Sequence, residues 1–437
     1  MIVQSGYDLE RVQRKLENEV SYVTPIFVDQ HLHPCLNELS SLHILFDDNE
    51  YVCIPFNHPD GIPLTIDVTN AKKIVTLYKR EILHAFPELN QTKVEDAATI
   101  LHLASETIPE VREYYTPTIQ RTLQQFKFKN LHLSVPLVVW MEYAHKLLAY
   151  VRDTYKKERP IAYKFISDTV IPTLTTIEQS GMHINPTLIQ EHFGEEIRRY
   201  HKNHMIHTVY NPYTSTGRPS NKHGGINFAA LNKTDGVRKI FDSRFGDDGL
   251  LIQLDYEAFH LRLVANQLQY KLPSTSVHTY LAEQYYGTKD ITTEQYEKSK
   301  QRTFALMYGM QDDDGNVEFF RKVKNYTNDL WEVYEDLGFV VGSYNKRVMV
   351  DNPTPNKVFN YTVQWMETAE AMTRISAVCD FLKDSLTKPI LYTYDALLLD
   401  LHRSETALLP RIRYLMEGDT YPTRMYKGKT YDELISL

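Results

Sequence analysis

Apolar and polar positions alternate along this chain in two periods, and the switches between them mark its elements. HILFDDNEYVCIPF, residues 43–56, sets two β-branched and aromatic runs around the turn-forming DDNE, which predicts a β-hairpin. From about Asn70 to Tyr155 the spacing is helical, as in NAKKIVTLYKREILHAF and PLVVWMEYAHKLLAYVRDTY. ISDTVIPTLTTIEQSGMHINPTLIQEHF, residues 166–193, predicts a helix, a break at Ser180-Gly181, a short strand and a helix opening at Asn185-Pro186. GLLIQLD predicts a strand ending on Asp255, with a helical region from Phe259 to about Tyr344 behind it. LTKPILYTYDALLLDLH, residues 386–402, predicts a second hairpin with Asp395 at its bend.

Composition narrows the class without naming a function. A chain of 437 residues can hold two or three domains with a sizeable core. No apolar run approaches the roughly 20 residues of a membrane span, and MIVQSGYDLERVQRKLENEV lacks a signal-peptide pattern, so a cytoplasmic setting is expected. Cys35, Cys53 and Cys379 are scattered and odd in number, which argues against a disulfide framework or a zinc site. The net charge of −8 means that any contact with nucleic acid must come from local basic patches.

Two stretches carry such patches. RRYHKNHMIHTVYNPYTSTGRPSNKHGGINFAALNK, residues 198–233, gathers Arg198, Arg199, Lys202, Arg218, Lys222 and Lys233 among histidines and tyrosines. It reads as a surface gripping a phosphate backbone, or equally as a solvated basic loop. In EQYEKSKQRTFALMYGM, residues 294–310, Lys300, Phe304 and Tyr308 recur every four positions and so share one helix face. That face suits a phosphate at one end and a stacked base at the other; the plainer reading is an amphipathic helix.

Asp255 and Asp395, 140 positions apart, each close an apolar strand with a carboxylate. Magnesium usually takes one or two protein carboxylates plus substrate phosphates, and two such ions can stabilise a phosphoryl displacement. Two aspartates beside a lysine-bearing helix and a basic groove therefore suggest a nucleotidyl-transfer site with two Mg2+ ions.

In order, T216-G217-R218, D255-Y256-x-x-x-x-L261-R262, K300-x-x-x-F304-x-x-x-Y308-G309 and Y394-D395 resemble the successive motifs of family A DNA polymerases, the bacterial DNA polymerase I type. The resemblance runs from about Asp168 to the C-terminus and points to a compact viral or mobile-element replicase. It implies an α+β right-hand fold with an antiparallel palm sheet, helical fingers and a truncated thumb, behind an N-terminal α/β exonuclease-like remnant. The exonuclease-like region would be residues 1–165; the palm 166–185, 205–270 and 345–437; the thumb 186–204; the fingers 271–344.

The resemblance also assigns roles. Asp255, Asp395 and the carbonyl of Tyr256 would hold the metals, and Lys300 would neutralise the incoming triphosphate. Phe304 would pack on the sugar, Tyr308 would stack near the templating position, and His278 would contact phosphate. Arg218, Asn227, Arg262, Asn360 and Gln364 would touch primer-template DNA.

Departures from the family pattern are specific. Tyr296 stands where the family has an arginine, His260 where it has a glutamate that helps exclude ribose, and Ala396 where motif C has a third carboxylate. Only about thirty residues separate the lead-in helix from TSTGR, so a short thumb and low processivity without a partner clamp are expected. Asp29-Gln30-His31 replaces the exonuclease Asp-x-Glu, which implies an inactive remnant and no proofreading. A single-subunit RNA polymerase and an inactive nucleic-acid-binding subunit are the alternatives.

Overall fold

The β-branched and apolar runs of the first hundred residues pair into one mixed sheet. Helix α1 (Gly6–Asn18), capped by the Ser5 hydroxyl accepting from the Asp8 N–H, precedes β1 (Val20–Phe27). β2 (Leu39–Phe46) and β3 (Tyr51–Pro55) form the hairpin expected at 43–56. β4 (Lys73–Thr76), α2 (Lys79–Ala85) and β5 (Val94–Asp96) complete the sheet in the order β3-β2-β1-β4-β5. β1 to β3 are antiparallel, whereas β4 and β5 join β1 in parallel. KIVT is thus a strand, correcting the helical reading of that stretch. Ile74 and Val75 are both buried, and a strand covered on both faces shows no alternation by which to recognise it.

A computed structural model describes residues 1–29, 32–124, 131–193, 201–221, 226–232, 236–309 and 317–437. The chain divides into two compact units, Met1–Val209 and Tyr210–Leu437. In the first, α3 (Ala97–Leu103), α4 (Pro117–Gln124) and the 19-residue α5 (Leu137–Tyr155) follow the sheet, and α5 packs on β1 and β2. A continuous helical stretch then runs through α6 (Ala162–Phe165), a π-turn at Ile166–Val170 and α7 (Ile171–Ser180). Gly181, at φ +60°, ends it. β6 (Met182–Ile184) and α8 (Pro186–Phe193) follow, so the helix, break, strand and helix expected over 166–193 all form. β7 (His201–Lys202) and β8 (Met205–Ile206) pair with each other, and β8 pairs with β6. The domain boundary read from sequence at 165/166 lies inside this unit.

The second unit contains β9 (Phe241–Asp242), the central strand β10 (Gly249–Tyr256) and the helices α9 (Phe259–Gln267), α10 (Val277–Tyr286), α11 (Thr293–Met307) and α12 (Glu318–Leu337). Two short strands, β11 (Val340–Val341) and β12 (Arg347–Val348), lead to the 27-residue α13 (Pro355–Phe381). The hairpin β13 (Lys388–Thr393) and β14 (Ala396–His402), helix α14 (Leu409–Glu417), β15 (Thr423–Gly428) and β16 (Ile435–Ser436) close the chain. The sheet is antiparallel throughout, in the order β13-β14-β10-β15-β16. One apolar cluster joins Leu261 and Val264 of α9, Leu281 of α10, Met307 of α11, Phe319 of α12 and Phe359 of α13. This cluster fixes the helices against one another and so sets where their polar faces point. No described helix is long and apolar enough to cross a membrane.

Candidate active site

The register of the second sheet brings the two strand-closing aspartates together. Asp255 of β10 pairs with Ala396 of β14, and the Tyr256 N–H donates to the Asp395 carbonyl at 3.0 Å. Both acids line one cleft of about 450 Å³. Tyr394, at φ +64°, turns the hairpin so that Asp395 follows directly. Burial, reinforced by the nearby Glu367 carboxylate, raises the Asp395 pKa above the usual aspartate value. Asp400, further along β14, is different: it is buried and held by the Ser243 hydroxyl and the Arg244 guanidinium. Position at the strand end, not acidity alone, therefore distinguishes the cleft pair. Tyr256 points the other way, stacking on Phe259 at 4.1 Å and donating from its hydroxyl to the Met416 carbonyl at 2.7 Å. Only its main chain could serve a ligand in the cleft.

Helix α11 forms the opposite wall. Its Thr292 capping box starts the helix, and the steps of four carry Lys300, Phe304 and Tyr308 into the cleft lining, as read from sequence. Tyr308 is just past the last helical residue, before Gly309 at φ +109°. Lys300 is exposed and makes no ion pair among the described residues. Phe304 is also exposed, with its ring 5.8 Å from that of His278, itself buried on α10. Burial, aided by Lys300 and Arg424, lowers the His278 pKa, so its imidazole is neutral in this state. Tyr296, standing where the resemblance expected an arginine, packs edge-on against His278 and lines the same cleft.

Glu367 of α13 was not anticipated from sequence. It is 1% exposed, yet it lines the cleft between Arg218 and His260. Arg218 meets both of its oxygens, at 2.7 and 2.9 Å, and His260 Nε2 lies 3.2 Å away. The His260 Nδ1 is hydrogen-bonded to the Tyr308 hydroxyl, whose pKa burial pushes up to about 12. A chain of contacts therefore links the α13 acid through His260 to the end of α11. Arg218 also covers the Tyr394 ring at 3.7 Å. Its place depends on Gly217, which has φ +75° and whose added Cβ would stand 2.4 Å from the Trp365 ring.

Arg262 requires a correction. Read as a DNA contact, it is instead buried, donating to the Glu257 carboxylate at 2.6 and 3.0 Å and to the carbonyls of Pro273 and Thr275. Glu257 in turn accepts from the Val277 N–H at the start of α10. A guanidinium so engaged cannot reach a phosphate without breaking a buried pair. Arg262 instead ties the end of β10 to the helix that carries His278. Arg424 of β15, absent from the sequence reading, faces Glu257 at 3.5 Å and lines the cleft.

The remaining assigned residues lie outside the cleft lining. Asn227 immediately precedes a short 3₁₀ turn at Phe228–Ala230, while Asn360 and Gln364 bond to each other on α13 at 2.9 Å. Of the basic stretch, Arg198, Arg199, Lys222 and Lys233 lie outside the described residues, as do Gln30 and His31 beside the buried Asp29.

No family model matches the sequence, and no curated protein matches it. Among solved structures, the chain is similar to "POL domain of Pol1 from M. smegmatis complex with DNA primer-template and dNTP". The TM-score is 0.72 over 99% of this chain and 99% of that one, at 14% sequence identity. The chain thus has the α+β right-hand polymerase fold expected from its motifs.

Proposed function

We infer that this chain is a template-directed DNA polymerase that extends a primer 3′ end with deoxynucleotides. One observation carries the reading: Asp255 and Asp395 are neighbours across β10 and β14, facing a wall that presents Lys300, Phe304 and Tyr308. The similar M. smegmatis polymerase domain is in complex with DNA primer-template and dNTP, which supports the same partners here.

The donor set suits hard divalent cations, as two carboxylates and the Tyr256 carbonyl leave room for substrate phosphates. Mg2+ held there would supply charge to the attacking and leaving oxygens of the displacement. The chain's own residues do the rest by position and charge. Lys300 offers an exposed ammonium to the departing pyrophosphate, beside the neutral His278. Phe304 gives the sugar an apolar face, and the His260–Tyr308 bond closes the floor beneath it. The primer 3′-hydroxyl attacks the α-phosphate in line, its proton leaves to solvent, and pyrophosphate departs. Arg218 and Glu367 hold the cleft base rigid. We read residues 1–165 as an exonuclease-like remnant without proofreading, and the whole as a compact viral or mobile-element replicase working in the host cytoplasm.

The test is template dependence. With magnesium and a primed template, each templating base should direct its complementary dNTP, and rNTPs should be used far less well. Incorporation that ignores the template would sink the reading; preference for rNTPs would favour the RNA polymerase alternative.

A further inference from the structure

The cysteine pattern along the chain gives no sign of a zinc site, but folding of the first unit assembles a mixed cysteine–histidine cluster from residues that the cleft does not use. His33 and Cys35 come from the loop after β1, His84 from α2, and His207 from the residues after β8. Ligand atoms of His33, Cys35 and His207 lie within 4.8 Å of one another, and Cys35 Sγ is 3.2 Å from His84 Nδ1.

The hydrogen bonds around this cluster have a common logic. His207 Nδ1 lies 2.6 Å from the Glu178 carbonyl, so that nitrogen must carry the proton and donate. His33 Nε2 likewise donates to the Thr208 carbonyl at 3.1 Å, while its Nδ1 accepts from the Cys35 N–H. His84 Nε2 donates to the Glu178 carboxylate at 2.7 Å, which leaves Nδ1 with its lone pair toward the thiol. Each imidazole is thus held by one nitrogen on an outer oxygen, the arrangement that orients metal-binding histidines; the His33 Nδ1 lone pair is taken by the Cys35 N–H and must leave it to meet an ion. Glu178 is fully buried, and Arg80 at 3.2 Å balances its charge.

We propose that Cys35, His33, His84 and His207 form a zinc-binding site framed by Glu178. Imidazole and thiolate suit zinc and disfavour magnesium. With bonds of about 2.0–2.3 Å, tetrahedral ligand atoms stand roughly 3.3–3.8 Å apart, so His33, Cys35 and His207, together with His84 beside the thiol, must draw together around the ion. Binding releases the Cys35 thiol proton to solvent and forms a zinc–thiolate bond, with no change in oxidation state. The ion would staple the loop after β1, α2 and the end of the β8 segment.

The experiment uses the full chain. After exhaustive dialysis, zinc content is measured by mass spectrometry, and affinity by competition with a chromophoric chelator. The parent chain and the Asp255→Asn/Asp395→Asn double variant should both retain one equivalent, which separates this site from the acidic pair. Cys35→Ser should lose it, and Glu178→Gln should weaken it about 10–100-fold. Should Cys35→Ser fail to fold, cobalt substitution of the parent chain decides, since thiolate ligation produces a sulfur-to-cobalt charge-transfer band. Absence of that band, or zinc retention unchanged in Cys35→Ser, would overturn the proposal.

Discussion

Asp255 and Asp395 look alike in sequence and differ in their surroundings. Asp395 carries a raised pKa, because burial and Glu367 both disfavour its charge. Its favourable contribution to folding is complete below the ordinary aspartate pKa of about 4 and is lost as pH rises through the raised value. At neutral pH the ionised side chain therefore costs stability unless a cation neutralises it. Asp395→Asn should raise the melting temperature of the metal-free chain by a few degrees at neutral pH, with the gain vanishing in acid. A lower melting temperature at neutral pH would contradict this. Arg262 gives a second residue-scale outcome: Arg262→Ala should lower stability by about 3–5 kcal/mol by leaving Glu257 buried and partly unpaired. It should raise the KM for dNTP through α10 and His278, while DNA affinity changes little; a loss confined to DNA binding would restore the contact role. The two aspartates were legible in the sequence because one puts a charge at the end of an apolar strand and the other at the bend of an apolar hairpin. Glu367 was not, since its burial between Arg218 and His260 depends on segments 149 and 107 positions away.

The elements were readable where their period was clean. GLLIQLD, the 386–402 hairpin and the four-step face of α11 all formed as the pattern predicts. KIVT did not, because four apolar-centred residues next to a real helix carry no period that separates strand from helix. Arg262 shows the same limit within a correctly read helix. Its place on α9 was visible, whereas its burial against Glu257 and the 273–275 carbonyls required the tertiary fold. The TSTGR turn offers the test at this scale. An alanine at Gly217 would combine a left-handed φ with a clash against Trp365. Gly217→Ala should therefore destabilise by about 1–3 kcal/mol and depress incorporation through Arg218. Denaturant unfolding beside a rate assay checks both; wild-type stability would contradict the turn's assigned strain.

At the scale of the whole chain, a net charge of −8 leaves DNA retention to local cations. On the proposal that residues 186–204 form a short thumb, little surface would close over a duplex. Products from a single binding encounter should therefore be short and shorten further with salt; long products from the lone chain would refute the low-processivity reading. The central claim is that Asp255 and Asp395 act together on one phosphoryl displacement. Single-turnover incorporation of one matched dNTP with magnesium tests it most directly, comparing the parent chain with Asp255→Ala and Asp395→Ala. Removing either acid should cut the rate by about 1,000-fold or more, roughly 4 kcal/mol of transition-state stabilisation, with primer-template still bound. Rates within a few-fold of the parent for either variant would contradict the account.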